Sequence, residues 1–230
     1  MDAGSRRGEA DMGAIDYSLY LVTDRSLSRG RTTIEVVQEA VAGGATCVQL
    51  REKSCGTREF LEEARVLRTV TRTLGVPLIV NDRVDIALAV GADGVHLGQQ
   101  DMPIADARRL CPPGWIIGVS AESPADAIHA ELSGADYIGV SPVFATPTKT
   151  DTAPPLGLEG LRKIRAAVKI PLVAIGGIQM ANAREVVRAG ADGLAVVSAI
   201  VSADSPREAA AALRREIEAG RGGTEWARRK

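Results

Sequence analysis

Short apolar runs alternate along the chain with longer stretches in which apolar residues recur at helical spacing. The runs include Tyr17–Val22, Val76-Pro77-Leu78-Ile79-Val80, Trp115-Ile116-Ile117-Gly118-Val119 and Ile170-Pro171-Leu172-Val173-Ala174-Ile175. Such runs suit strands buried on both faces, whereas Phe60, Leu61, Ala64, Leu67 and Leu74 follow the helical period. A repeat marks the other strands. Gly-Ala-Asp followed by an apolar run stands at Gly91-Ala92-Asp93, Gly134-Ala135-Asp136 and Gly190-Ala191-Asp192, with Gly44-Ala45-Thr46 as a weaker copy. Each copy ends a helical stretch, where glycine is the expected residue because it accepts positive φ. Eight strands are predicted, beginning near residues 17, 46, 77, 93, 115, 136, 171 and 192.

Eight alternating β and α units read as an α/β fold, a single-domain (β/α)8 TIM barrel, with a doubly wound open sheet as the alternative. Repetition at every second unit favours closure, because alternate strands build the inner layers of such barrels. Ser205-Pro206-Arg207-Glu208 reads as a capping box opening the last helix, and Ser123-Pro124 as a second helix cap. The barrel reading also locates the chemistry, since active sites sit at the C-terminal ends of the strands. Asp93, Asp136 and Asp192 begin strands, so they are assigned structural roles on the opposite face.

Composition narrows the class. Of 230 residues, 45% are hydrophobic and 24 are glycine, which excludes wholesale disorder. Twenty-eight basic residues nearly cancel 29 acidic ones, so nothing in the charge balance points to nucleic acid or an anionic membrane. Cys47, Cys55 and Cys111 form no close pair, which fits a reducing, cytoplasmic setting. The opening MDAGSRRGEADMGA lacks an apolar signal core, and no apolar run approaches the ~18 residues of a membrane span. Residues 1–14 and 220–230 read as polar tails flanking a catalytic domain over 15–219.

The predicted strand ends carry polar groups. Alternation puts Gln49, Arg51 and Lys53 on one face at the end of the second strand, a pattern that fits an anion site or a solvated exit with Glu52 as ion-pair partner. Asp82 and Asp101 follow the third and fourth strands. Both precede helices and so fit N-caps; together they also fit oxygen ligands for Mg²⁺ beside a substrate phosphate. His96 reads as an oriented buried histidine rather than a catalytic base. Ser120 ends the fifth strand. After the sixth comes Ser141–Asp151, a long loop in which Thr146, Thr148 and Lys149 lie among prolines, and which reads as a binding loop or a solvated connector. Gly176-Gly177 after the seventh strand and Val197-Ser198 after the eighth stand where such barrels commonly bind phosphate through backbone N–H groups. The mouth thus presents one site for a monophosphate and a second, cationic and Mg²⁺-assisted, for a diphosphate. Two facing sites imply the joining of two phosphorylated molecules.

From about Tyr17 to Ala210 the sequence resembles the thiamine phosphate synthase (thiamine phosphate pyrophosphorylase) family. The carrying segments are Leu19-Tyr20-Leu21-Val22-Thr23-Asp24, Gln49-Leu50-Arg51-Glu52-Lys53, Asn81-Asp82-Arg83, Val95-His96-Leu97-Gly98-Gln99, Thr146-Pro147-Thr148-Lys149 and Ala174-Ile175-Gly176-Gly177-Ile178. The resemblance implies an enzyme of thiamine biosynthesis. It would couple 4-amino-2-methyl-5-(diphosphooxymethyl)pyrimidine with 4-methyl-5-(2-phosphooxyethyl)thiazole, or its carboxylated form, giving thiamine phosphate and diphosphate. It further implies that Gln49, Leu50, Arg51, Glu52, Lys53, Asn81, Ser120 and Lys149 bind the pyrimidine diphosphate. Thr146, Pro147, Thr148, Gly177, Val197 and Ser198 would bind the thiazole phosphate, and Asp82 and Asp101 the Mg²⁺. Arg51, Lys53 and Lys149 are the expected catalytic groups, stabilising charge on the leaving diphosphate. Departures from the family pattern fall at Ser141, where glycine is expected before the proline, and at Ala121-Glu122 after Ser120. The competing functions are a thiazole phosphate tautomerase on a related barrel and a non-catalytic binder. Partners are the small-molecule substrates alone; the oligomeric state is left open, a homo-oligomer included. With aromatic residues at 3%, polar edge contacts and phosphate anchors are expected to supply specificity rather than stacking.

Overall fold

The computed structural model describes residues 15–146 and 154–222. Its strands are β1 (Leu19–Val22), β2 (Cys47–Leu50), β3 (Leu78–Asn81), β4 (Gly94–Leu97), β5 (Ile116–Ala121), β6 (Tyr137–Val140), β7 (Leu172–Ile175) and β8 (Gly193–Val196). The helices are α1 (Thr33–Ala42), α2 (Thr57–Leu74), α3 (Val84–Val90), α4 (Ile104–Leu110), α5 (Pro124–Leu132), α6 (Gly157–Ala167), α7 (Met180–Arg188), α8 (Ser198–Val201) and α9 (Pro206–Arg221). All eight strands pair in parallel in sequence order, and β8 closes onto β1. Closure settles the choice between barrel and open sheet, and each strand begins within two residues of its predicted start.

Alternation along each strand sorts the side chains into two cores. Leu19, Leu21, Val48, Leu50, Leu78, Val80, Val95 and Leu97 face outward and are sealed beneath the helices. Tyr17, Tyr20, Val22, Cys47, Ile79, Tyr137, Val173 and Ala195 face inward and fill the barrel. Four-residue strands buried on both faces read as continuous apolar runs for this reason.

The Gly-Ala-Asp repeat performs one job at each copy. Asp93, Asp136 and Asp192 each accept a hydrogen bond from the first or second residue of the preceding strand: Leu78 N at 2.7 Å, Ile117 N at 2.7 Å and Leu172 N at 2.8 Å. Each also pairs with an arginine of an even-numbered helix, Arg68, Arg108 and Arg165 respectively. Thr46 takes the same place in the fourth copy, its Oγ1 accepting from Leu19 N at 3.1 Å. These braces hold the face opposite the site, in keeping with their assignment as structural.

Ser123 and Ser205 cap α5 and α9, each accepting from the third backbone N–H of its helix; of the predicted box at α9 the structure forms this serine half. The predicted tail boundary at Gly220 moves outward, because α9 continues to Arg221 and Gly220 is buried against Val187. A residue without a side chain fits there because α7 and α9 cross closely. The two tail segments, apart from residues 220–222, lie outside the described residues.

Candidate active site

A cavity of about 650 Å³ opens at the C-terminal ends of the strands. Its wall collects Gln49, Arg51, Lys53, Asn81, Asp82, Asp101, Ser120, Thr146, Gly177, Val197 and Ser198 from seven different strand ends or loops. Residues up to 149 positions apart in sequence (Gln49 to Ser198) thus share one mouth. Pro147, Thr148 and Lys149 lie outside the described residues.

The second strand divides as alternation requires. Gln49, Arg51 and Lys53 face the cavity, and Leu50 and Glu52 do not line it. Leu50 is fully buried in the outer core. The Glu52 side chain, 5% exposed, turns beneath α2 toward Arg25, whose guanidinium binds Glu59 and Glu63 and stands 3.9 Å from Glu52 Oε1. Burial and the neighbouring Glu63 push the Glu52 carboxyl above the ordinary carboxylate range. The side chains of Leu50 and Glu52, both expected at the pyrimidine diphosphate, are thus turned away from the cavity by the two-residue period of extended chain.

The cations just past β2 are held by acids. Arg51 Nη1 lies 3.5 Å from Asp24 Oδ2, and its backbone N–H donates to Thr23 Oγ1 at 3.1 Å. Lys53 Nζ sits 2.6 Å from Asp82 Oδ2. Asp82 has φ 62°, a left-handed conformation sparsely used outside glycine, fixed by its own N–H on His96 O at 2.8 Å. Neither Asp82 nor Asp101 caps a helix: the N-cap positions of α3 and α4 are Arg83 and Pro103, and neither makes a side-chain cap. Asp101 instead accepts from Gly98 N at 2.7 Å and faces Asp82 within hydrogen-bonding reach. Burial first, and the adjacent Asp82 second, raise the Asp101 carboxyl, against the pull of the Gly98 N–H and Lys53. Among the described residues no cluster of three or more His, Cys, Asp or Glu side chains could hold a metal ion. Two facing carboxylates nevertheless fit a divalent cation that takes its remaining ligands from substrate and water.

Across the mouth, Gly176 and Gly177 both have positive φ and press against the start of the loop after β6. Ser198 opens α8, and Val197 precedes it with φ −110° and ψ −89°.

The floor of the cavity is aromatic. Three rings meet there: Tyr20 and Tyr137 lie 5.9 Å apart, and His96 and Tyr137 5.5 Å apart, centroid to centroid. Tyr20, Tyr137 and His96 all line the cavity. The few tyrosines are thus concentrated inside the barrel. A usable signal was present: Gly118 and Gly139 interrupt β5 and β6, and glycine inside a strand marks a close approach.

Fold and mouth together define a (β/α)8-barrel enzyme. The family model described as thiamine monophosphate synthase matches residues 19–200. Thiamine-phosphate synthase of Chloroflexus aurantiacus is 60% identical over 200 residues, covering 87% of this chain and 92% of its own. That of Albidiferax ferrireducens is 59% identical over 201 residues, with the same coverage. Among solved structures, thiamine phosphate pyrophosphorylase from Pyrococcus furiosus superposes with a TM-score of 0.83 at 48% identity, covering 90% of this chain and 98% of its own. The chain belongs to the thiamine monophosphate synthase family, and with it to the transferases of thiamine biosynthesis.

Proposed function

We propose that the chain joins 4-amino-2-methyl-5-(diphosphooxymethyl)pyrimidine to 4-methyl-5-(2-phosphooxyethyl)thiazole, or its carboxylated form, and releases diphosphate. The observation that carries this reading is one mouth with two unlike walls. Arg51, Lys53, Asp82 and Asp101 stand on one side; Gly177, Val197 and Ser198 stand on the other.

On this reading the diphosphate lies against Arg51 and Lys53, and these cations, together with Lys149, stabilise the charge that develops as the C–O bond breaks. The pyrimidinylmethyl cation left behind is stabilised by its ring amino group, and the thiazole nitrogen attacks the methylene carbon. Gly177, Val197 and Ser198, with Thr146, Pro147 and Thr148, anchor the thiazole phosphate, so attack becomes a matter of proximity. Gln49 and Asn81 meet the pyrimidine ring, and Ser120 meets the diphosphate. Asp82 and Asp101 would hold Mg²⁺, which when bound supplies Lewis-acid stabilisation of the departing diphosphate. No strong nucleophile or general base is required of the protein.

Among the described residues no helix is long and apolar enough to cross a membrane. The two phosphorylated substrates are the proposed partners, and the cytoplasm the proposed setting.

The test mixes purified protein with both substrates and Mg²⁺ and follows thiamine phosphate and diphosphate. Stoichiometric appearance of both is expected; absence of diphosphate release with authentic substrates would overturn the reading.

A further inference from the structure

A continuous chain of hydrogen bonds crosses the inside of the barrel beneath the mouth. Gln49 Nε2 donates to Tyr20 Oη at 3.1 Å, and Tyr20 Oη stands 2.9 Å from Tyr137 Oη. Tyr137 Oη lies 2.8 Å from His96 Nδ1, and His96 Nε2 lies 3.0 Å from Ser120 Oγ. The chain links β1, β2, β4, β5 and β6, and its two ends, Gln49 and Ser120, both line the cavity. Room for it is built into the strands. A Cβ on Gly118 would fall within the Tyr137 ring, and one on Gly139 would lie 2.8 Å from His96 Cε1. Tyr20 and Tyr137 are each 1% exposed, and burial raises both phenols well above their ordinary value, so both remain neutral hydroxyls.

Donor and acceptor counting gives the chain a direction. An amide nitrogen only donates, so Tyr20 Oη accepts from Gln49. The Tyr20 proton then has two possible acceptors, the Tyr137 oxygen and the neighbouring Cys47 sulfur. Oxygen is the better acceptor, because sulfur accepts only weakly. Tyr137, having accepted from Tyr20, donates to His96 Nδ1. The imidazole is then neutral with its proton on Nε2, which donates to Ser120 Oγ. Ser120 is left with its own O–H directed to the mouth, and Gln49 with its Oε1.

We propose that Tyr20, Tyr137 and His96 form a positioning relay that fixes the polarity of two mouth groups, holding Gln49 as an acceptor and Ser120 as a donor. This rests on the proposed function only for what those groups meet: an amino-bearing ring at Gln49 and an anionic oxygen at Ser120. Reversal of any link would turn Ser120 into a donor to His96 and present lone pairs to the diphosphate. The relay residues need not touch the reacting atoms; they act through Gln49 and Ser120.

The chain holds only two histidines, His96 and the exposed His129, so ¹⁵N-histidine NMR of the whole protein reads the tautomer directly. A His129→Gln variant gives the assignment. The relay requires neutral His96 with the proton on Nε2 at pH 7.5; an Nδ1–H tautomer or an imidazolium overturns it. The kinetic arm is a double-mutant cycle. Tyr137→Phe is expected to lower kcat/KM for the pyrimidine diphosphate about 10-fold, the worth of one buried hydrogen bond, with KM for the thiazole phosphate unchanged. In a Ser120→Ala background the same substitution is expected to cost much less. Equal losses in both backgrounds overturn the relay in favour of a general structural role. If Tyr137→Phe fails to fold by circular dichroism, the NMR result on the native chain decides alone. Failure of the wild-type assay would count against the proposed reaction, while the NMR measurement would still judge the relay.

Discussion

Asp82 combines a strained backbone with a charged side chain at the mouth: φ is 62°, and Oδ2 sits 2.6 Å from Lys53 Nζ. A non-glycine residue in that region costs on the order of 1 kcal/mol and persists where its surroundings hold it, often at functional sites. Asp82→Asn tolerates the same φ and removes the charge. It is expected to lower kcat/KM on the order of 100-fold and to raise the Mg²⁺ concentration needed for half-maximal rate. Unchanged kinetics and Mg²⁺ dependence would sink the metal assignment. Glu52 gives the opposite case, a buried carboxylate that does not line the cavity. Its raised pKa means that the native state binds the proton more tightly than the unfolded chain. Its favourable contribution is therefore complete below the ordinary carboxylate range and is lost as pH rises through the raised value. Glu52→Gln should raise Tm at pH 7.5 and give no gain at pH 4, as thermal melts at the two values would read. Arg25 keeps Glu59 and Glu63 in the variant.

Local elements place the loop that carries Thr146. Val143 N donates to Ile175 O at 2.9 Å and Phe144 N to Gly176 O at 3.0 Å, so the loop leaves β6 zipped to the end of β7. The return is fixed as well, with Leu156 N on Pro142 O and Gly157 N on Val143 O, both at 2.9 Å. Gly177 is the pivot of this arrangement. Its φ is 63°, and a Cβ there would stand 2.7 Å from both Phe144 Cβ and Ala145 O. Gly177→Ala should therefore displace the loop base and raise KM for the thiazole phosphate at least about 10-fold. A strain of ~1–3 kcal/mol should also lower Tm. A steady-state titration of each substrate separates this from a general loss, since KM for the pyrimidine diphosphate should move much less. The place of the Gly-Gly pair after the seventh strand was readable in the sequence. Its packing against Phe144 was not, because that contact depends on how two loops leave adjacent strands.

Stability and chemistry occupy opposite ends of the barrel. At the bottom, a side chain at the start of each even strand ties that strand to its predecessor, four times around the ring. A second cleft of about 620 Å³ lies at this end near Arg162, Lys169 and Arg188, and its Arg165 and Asp192 belong to one of these braces. Asp93→Ala would leave the Leu78 N–H without its 2.7 Å acceptor and Arg68 without its ion-pair partner. An unpaired buried donor costs ~1–3 kcal/mol, and a chain of this size loses ~2–4 °C in Tm per kcal/mol. A clear drop in Tm is expected, with kcat/KM at 25 °C within about twofold of wild type. A large loss of activity in a folded Asp93→Ala variant would contradict this division of labour.

The number, order and starts of the strands followed from the sequence, because buried parallel strands, helical periodicity and the Gly-Ala-Asp punctuation are all local patterns. Alternation along β2 and the residues that follow it likewise separated Gln49, Arg51 and Lys53 from Leu50 and Glu52, although the resemblance had grouped all five. Alternation states which face a side chain takes; it does not state what stands opposite. That depends on strand stagger around a closed barrel, which no local pattern encodes. Tyr20 and Tyr137 meet across 117 positions, and His96 and Tyr137 across 41. Only closure brings them together, and only closure makes Gln49 and Ser120 the two ends of one hydrogen-bonded chain.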